Sequence, residues 1–265
     1  MRRSLLAAAL LTALVTGCKT EAPTSPAASS ESATAAASQA DVRFAELSKR
    51  WLEGWLPLNP VAATQIGDHR FDAELDDLSP EGRQRALDFS KKILAELDAI
   101  DATQLSRENQ VDALILRNQL RGDIWSTETL QAWAWDPQGY NGLAGGAIYN
   151  LMAREFAPLP ERLKSATARM EKLPAMFVQM RANIDVARVP KIHAETVAKQ
   201  HAGLLSLIDT FITPNADKLQ VEDRTRLDAA VAGLRKARSE ERFSRNAETA
   251  LSISYAVFCL KKIFF

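Results

Sequence analysis

The sequence has no surplus of charge of either sign, and it is poor in the residues that form tight turns. Its 265 residues include 33 Lys and Arg against 33 Asp and Glu, with only 11 Gly and 11 Pro. The charge balance lacks the basic surface that nucleic-acid-binding proteins carry, so we expect no nucleic-acid partner. No segment shows sustained apolar/polar alternation, which argues against a β-sandwich or barrel. Hydrophobic residues make up 46% of the chain, which is enough for a packed core.

Catalytic motifs are also missing. The sequence contains no Gly-rich phosphate loop, no Gly-x-Ser-x-Gly elbow, no paired-carboxylate motif and no His-Glu-x-x-His helix. Three histidines are present, and His193 and His201 are separated by two helical turns, which is not a known ligand spacing. We interpret the nearby Glu195 as an i,i+4 ion pair with Lys199. The sequence therefore predicts no catalytic residue, no metal site and no cofactor in this chain.

An acidic run, Asp68, Asp72, Asp76 and Asp77, lies just before Ser79. The run lacks the glycine and the terminal glutamate of a calcium-binding loop. We interpret it as a solvated turn that leads into a helix capped by Ser79.

The first 17 residues have the pattern of a secretory signal. A basic start at Arg2 and Arg3 precedes an apolar run, from Ser4 to Val15, that is too short to span a bilayer. The run ends in Val15-Thr16-Gly17-Cys18, which resembles the bacterial lipobox, where a peptidase cleaves before a lipidated cysteine. We expect Cys18 to be lipidated and to anchor the chain to the membrane, because several acyl chains bind stably. The alternative is an ordinary signal peptide with a chance cysteine.

Residues 18–40 predict a disordered tether behind the lipid. After Lys19 the segment is nearly all Ala, Ser, Thr and Pro, so it buries too little surface to offset the entropy of ordering. Lys19 stands where an aspartate marks inner-membrane retention in the Gram-negative sorting rule. By that resemblance we expect a cell-envelope protein at the outer membrane, facing the periplasm.

The last segment, residues 238–265, resembles a translated sequencing-library adapter. Arg238–Thr249 and Ile253–Leu260 read as its two fixed parts, and Ala250–Ser252 spans the variable index between them. We predict that this tail is not native, that its apolar end is no membrane anchor and that Cys259 has no role. A charged helix followed by an apolar helix is the structural alternative. Because Cys18 is lipidated in this interpretation, no disulfide framework is expected.

Residues 41–237 predict an all-α domain, an irregular array of many helices. Apolar residues recur at three- and four-residue steps, and helix starts occur at Ser79-Pro80, Ser106, Pro158 and Pro190. Pro174 lies inside one helical pattern and should kink or divide that helix. The positions predicted to face the core are Phe44, Leu47, Trp51 and Trp55; Ala86, Phe89, Ile93, Leu97 and Ile100; Val111, Leu114, Ile115 and Ile124; and Leu163, Met170, Phe177, Met180 and Ile184.

The stretch from Trp133 to Gly146 is a candidate groove. Trp133, Trp135 and Tyr140 stand close to Gly142 and a further glycine pair. Aromatic rings supply stacking area, and glycine lets a ligand approach the backbone, so these four residues could line a substrate groove. The alternative is a helix break whose aromatic side chains fill the core.

A family resemblance rests on several short motifs. Trp51, followed by Asn59-Pro60-x-x-Ala63-Thr64-x-x-Gly67 and by Leu75-Asp76-Asp77-x-Ser79, resembles the N-terminal region of the bacterial envelope family known as domain of unknown function 885. The helix after Pro190, with its Gln200-x-x-Gly203, is also similar. The resemblance covers about residues 41–237. It implies a longer, mostly helical, zincin-like metallopeptidase whose His-Glu-x-x-His helix lies in the C-terminal half. This sequence has no matching position, so no catalytic residue carries over.

Two functional hypotheses follow. In the first, the chain is the N-terminal half of an envelope-anchored zinc peptidase acting on peptides, and the fragment itself is inactive because the zinc-binding half is absent. In the second, it is a non-catalytic helical lipoprotein that acts as a binding protein or scaffold in the periplasm.

Overall fold

The computed structural model describes residues 38–200 and 203–247, with side chains described through residue 237. The chain divides into two units, residues 1–36 and 37–265, and every described residue belongs to the second. The predicted signal, Cys18, His201, Cys259 and the apolar end of the predicted adapter tail lie outside the described residues. The described part contains helices and no strand, which confirms the all-α prediction. No helix in it is long and apolar enough to cross a membrane.

The described part of the chain begins with a first group of four α-helices. They are α1 (Gln39–Trp55), α2 (Pro60–Ile66), α3 (Pro80–Asp98) and α4 (Arg107–Trp125). The starts of α1, α3 and α4 follow from capping side chains: the hydroxyls of Ser38, Ser79 and Ser106 each accept a backbone N–H of the first helical turn. Helices α1, α3 and α4 pack on one another around a core of apolar residues. That core consists of Phe44, Leu47, Ile93, Leu97, Leu105, Ala113, Leu116 and Leu120.

Asp41 joins the starts of α1 and α4. Its carboxylate accepts hydrogen bonds from the Ser106 backbone N–H at 2.9 Å and from the Asn109 side-chain amide at 2.7 Å. It also completes a reciprocal cap with Ser38. These donors, with the Asn109 amide first, lower the pKa of the Asp41 carboxyl far below its ordinary value.

The prediction for the buried face of α4 is wrong. Val111, Leu114 and Ile115 are exposed, with 41%, 59% and 63% of their surface accessible. The core is contacted instead by Leu116 and Leu120. Two apolar stripes with the same helical period lie on this helix, and the period alone does not select the stripe that faces the core.

The second group of helices is built around the long helix α7. It comprises α5 (Ala132–Trp135), α6 (Pro137–Met152), α7 (Leu159–Asn183), α8 (Lys191–Gln200), α9 (Gly203–Leu207) and α10 (Val221–Ala247). Helix α7 packs on α6 and α10, and α6 also packs on α2, α8 and α9. The largest apolar side chains that are fully buried in this core are Ile148, Leu151, Leu163, Met170, Leu173, Met180 and Ile208.

Pro174 does not divide its helix. Helix α7 continues from Leu159 to Asn183 with the proline inside it. A proline here removes one backbone hydrogen bond, but Leu173 and Phe177 on either side of it are buried in the core. Tertiary packing therefore keeps α7 helical at the position where the sequence predicts a kink or a division.

Candidate functional site

The residues that carry the family resemblance meet at α2. Pro60 occupies the first helical position, where its missing N–H costs no hydrogen bond. Ala63 is fully buried and Thr64 is 2% exposed. Gly67 ends the helix in the left-handed region, with φ 97°, which a residue with a side chain rarely adopts. The motif therefore specifies a short helix with a buried Ala–Thr face and a glycine stop.

Arg169 of α7 lies at the centre of a buried polar cluster beside this helix. It is fully buried, and its guanidinium donates to the Thr64 hydroxyl at 2.7 Å. It also donates to backbone oxygens of Glu74 at 2.9 Å, Ala147 at 3.0 Å and Pro60 at 3.1 Å. Arg169 thus ties α2, α6 and the segment after α2 to α7.

Thr64 extends the cluster toward the acidic run. Its hydroxyl lies 2.6 Å from a carboxylate oxygen of Asp72, whose other oxygen is 3.0 Å from His69 Nδ1. The His69 ring stacks on Phe156 with centroids 3.5 Å apart. Asp72 is 7% exposed, so the interpretation of the acidic run as a solvated turn is wrong at this position.

Asp76 and Asp77 of the acidic run make further contacts in the segment between α2 and α3. A carboxylate oxygen of Asp76 accepts the Val61 backbone N–H at 3.2 Å. Asp77 accepts the Ser79 backbone N–H at 3.0 Å and pairs with Arg85 at 2.5 Å. The run therefore orders the connection between α2 and α3 instead of facing water as a whole.

Burial governs the electrostatics of the cluster. It lowers the pKa of the Arg169 guanidinium to about 10, although the nearby carboxylates of Asp72 and Asp76 oppose the shift. Burial also raises the pKa of Asp76, against the hydrogen bond from the Val61 backbone. Because the guanidinium donates its hydrogen bonds to protein oxygens, this cluster holds α2, α6 and α7 together.

Arg169 is not among the residues predicted from the sequence, although its position in α7 indicates that it is buried. The buried stripe of α7 passes through Arg162, Ala166, Arg169, Leu173 and Met176 at steps of three and four residues. Both arginines stand at core positions of this stripe. A charged residue at such a position is rarely buried without partners, so its place in the stripe predicts a buried polar network.

The aromatic residues of the predicted groove are engaged within the fold. The indole N–H of Trp133 donates to the Thr127 carbonyl at 3.0 Å, and that of Trp135 donates to the Leu130 carbonyl at 2.9 Å. The Tyr140 hydroxyl donates to the Trp133 carbonyl at 2.5 Å. The guanidinium of Arg83 lies over the Trp133 ring, 3.8 Å from its centroid.

Gly142 lies apart from these aromatic side chains. It lines a separate groove between α2, α6 and α9, with a volume of about 580 Å³. The lining is completed by Val61, Ala62, Gln65, Gly139, Leu143, Gly145, Gly146, Tyr149, Asn150 and Leu207. The structure therefore joins Tyr140 to Trp133 by a hydrogen bond, places the Trp135 ring 5.6 Å from that of His193, and places Gly142 with other glycines of α6.

His193 forms a pair with an acidic residue. Its Nδ1 is 2.9 Å from a carboxylate oxygen of Asp136, and the same oxygen accepts the backbone N–H of Gln138 at the start of α6. Glu195 lies 3.8 Å from the amine of Lys191, one turn before it. No three His, Cys, Asp or Glu side chains among the described residues converge as metal ligands would.

Comparison with known proteins gives two matches. A family model described as a bacterial protein of unknown function, DUF885, matches residues 60–252. The match includes the whole polar cluster, and it extends over residues 238–252 of the predicted adapter tail. A solved structure of a proposed lipoprotein of unknown function from Shewanella oneidensis is similar, with a TM-score of 0.69 and 26% identity. The similarity covers 79% of this chain but only 39% of that protein. No curated protein matches the chain.

Proposed function

We propose, from the premise that this chain belongs to the DUF885 family, that it is the N-terminal part of a longer lipoprotein anchored in the cell envelope. Cys18 carries the lipid, residues 18–40 form the tether, and the helical domain faces the periplasm. Lys19 after the lipidated cysteine favours the outer membrane. The observation that carries this proposal is the match to a proposed lipoprotein of which this chain spans about two fifths.

The activity proposed for the longer protein is peptide hydrolysis. The family resemblance implies a zinc peptidase, in which zinc activates a bound water for attack on a peptide carbonyl. The described residues of this chain do not fit a zinc site, because no three suitable ligands converge in them. In this proposal the helical domain supplies the N-terminal wall of the cleft, and the zinc-binding residues belong to the C-terminal half of the longer protein. We propose that the chain as given does not hydrolyse peptides.

The anchor is tested by labelling cells with a radioactive fatty acid. Cells producing the wild-type chain should incorporate label into it and retain it in the membrane fraction. The Cys18→Ser variant should lose the label, whereas Cys259→Ser should keep it as the matched control. Label retained by Cys18→Ser would contradict the proposed lipidation site. A Lys19→Asp variant should move from the outer to the inner membrane.

The peptidase proposal is tested by sequencing the locus beyond the codon for Ala237. A continuing frame with a His-Glu-x-x-His helix supports it, and the longer protein should then cleave unstructured peptides in a chelator-sensitive manner. A frame without that helix contradicts it and favours the non-catalytic binding or scaffold lipoprotein. Chelator-sensitive cleavage by the present chain would contradict its predicted inactivity.

A further inference from the structure

A groove runs along the seam between α1 and α4. Its volume is about 730 Å³, within the range of ligand-binding clefts. The groove is bounded by side chains of both helices. They are Ser48, Lys49, Trp51, Leu52 and Trp55 of α1, and Asp112, Ile115, Leu116 and Gln119 of α4.

This part of the groove is mainly apolar and accessible. The rings of Trp51 and Trp55 lie 6.3 Å apart and are tilted by 37°. Leu52 and Ile115 expose 40% and 63% of their surface beside them. Exposed apolar side chains grouped in a concave surface are typical of binding sites. Ile115, from the exposed stripe of α4, thus borders a concave site.

A second cavity adjoins the first and is more polar. It has a volume of about 300 Å³ and lies between the end of α1, helix α3 and the turn after α4. Trp55 and Gln119 line both cavities, so the two cavities adjoin, and together they are called the groove. The second cavity is also lined by the polar side chains of Asn59, Ser90, Asp123, Ser126 and Thr127.

Asp123 is the acidic group of the second cavity. Its carboxylate is half-buried and accepts a hydrogen bond from the Gln119 amide at 2.8 Å. Burial raises its pKa, against that hydrogen bond. The other charged side chains that line the groove are Lys49 and Asp112, both in the first cavity. A half-buried carboxylate beside an indole ring favours a cation.

We propose that this groove binds an extended peptide segment in which a lysine or arginine stands next to a large apolar residue. The cationic head occupies the second cavity and pairs with Asp123. The apolar side chain lies on Trp51 and Trp55, and the hydroxyl and amide side chains of the second cavity pair with the peptide backbone. This binding requires no hydrolysis, so it goes beyond the proposed function and does not depend on a peptidase activity.

Binding is measured with the full-length chain in zwitterionic lipid nanodiscs. The probe is a fluorescein-labelled peptide, Ala-Leu-Lys-Leu-Ala, followed by fluorescence anisotropy. It should bind about tenfold more tightly than Ala-Leu-Glu-Leu-Ala or Ala-Ser-Lys-Ser-Ala, because each of these lacks one of the two contacts. Equal affinity for all three peptides, or equal binding to nanodiscs without the protein, would overturn the proposal.

Matched variants locate the site. Asp123→Asn should weaken binding of the lysine peptide about tenfold, whereas Asp217→Asn, an exposed carboxylate elsewhere, should not change it. Ile115→Gln should weaken binding, and Ile192→Gln, at a similarly exposed position on α8, should leave it unchanged. Circular dichroism confirms that each variant is folded. If the groove variants bind like their controls, the peptide does not occupy this groove.

Discussion

Two helices of this protein break the amphipathic pattern in opposite ways. Helix α7 places a charged residue, Arg169, on its fully buried face. Helix α4 places apolar residues, among them Leu114 and Ile115, on its exposed face. The buried arginine has protein oxygens around it, whereas the exposed Ile115 borders an open groove. The first exception stabilises the fold, and the second is available for binding.

Replacement of Arg169 by methionine tests whether the buried arginine of α7 stabilises the fold. The change removes the hydrogen bonds to Thr64 and to several backbone oxygens, and it leaves Asp72 buried without the nearby positive charge. We expect the free energy of unfolding in urea to fall by about 3–5 kcal/mol. The control is Arg226→Met, which breaks an exposed ion pair with Glu171 and should cost about 0–1 kcal/mol. Equal losses in the two variants would contradict the role given to Arg169.

The two faces of α4 can be compared directly by truncation. Leu120 is 1% exposed, so Leu120→Ala should lower the free energy of unfolding by about 2–5 kcal/mol. Ile115 is 63% exposed, so Ile115→Ala should change it by about 0.5 kcal/mol or less. Both values come from urea denaturation. A large loss for Ile115→Ala would show that this face is packed and would remove the basis for the groove.

Two glycine substitutions test the backbone conformation at the end of α2 and inside α4. Gly67→Ala places a side chain at φ 97°, and we expect a loss of about 1 kcal/mol. Gly122 lies within α4 with open space around it, so Gly122→Ala should stabilise the protein by about 0.5–1 kcal/mol. Thermal unfolding measures both changes. A stabilising Gly67→Ala would contradict the left-handed stop of α2.

The smallest expected effect concerns pH. The carboxylate of Asp41 has a pKa below its unfolded value, so its contribution to stability is present above about pH 4 and is lost as the pH falls through the folded pKa. The urea midpoint of the wild type should therefore decrease between about pH 5 and pH 2. In Asp41→Asn it should decrease less over that range, whereas Asp217→Asn should follow the wild type. Parallel curves for wild type and Asp41→Asn would contradict the assignment.

Much of the helical framework is accessible from the sequence, because capping residues are local signals. Ser79 and Ser106 identify two helix starts that the structure confirms. The buried positions of α7, such as Leu163 and Met170, also agree with the prediction. The face of α4 does not, since the choice between its two apolar stripes depends on the position of α1 and α3.

The polar cluster shows what local patterns leave out. The acidic run predicts a solvated turn, but Asp72 is buried beside Thr64, eight residues before it, and Arg169, far along the chain. The indole groups of Trp133 and Trp135 donate to backbone oxygens only five or six residues away. The contact with Arg169 is long-range, and a single sequence does not display it.

The span of the Arg169 hydrogen bonds has a consequence for synthesis. The bonded oxygens of Pro60 and Glu74 precede their arginine by 109 and 95 residues. At a translation rate of about 5–20 residues per second, Arg169 is therefore synthesised about 5–20 s after α2, and its hydrogen bonds to α2 cannot form before then. During this interval the segment is available to chaperones that bind unfolded chains.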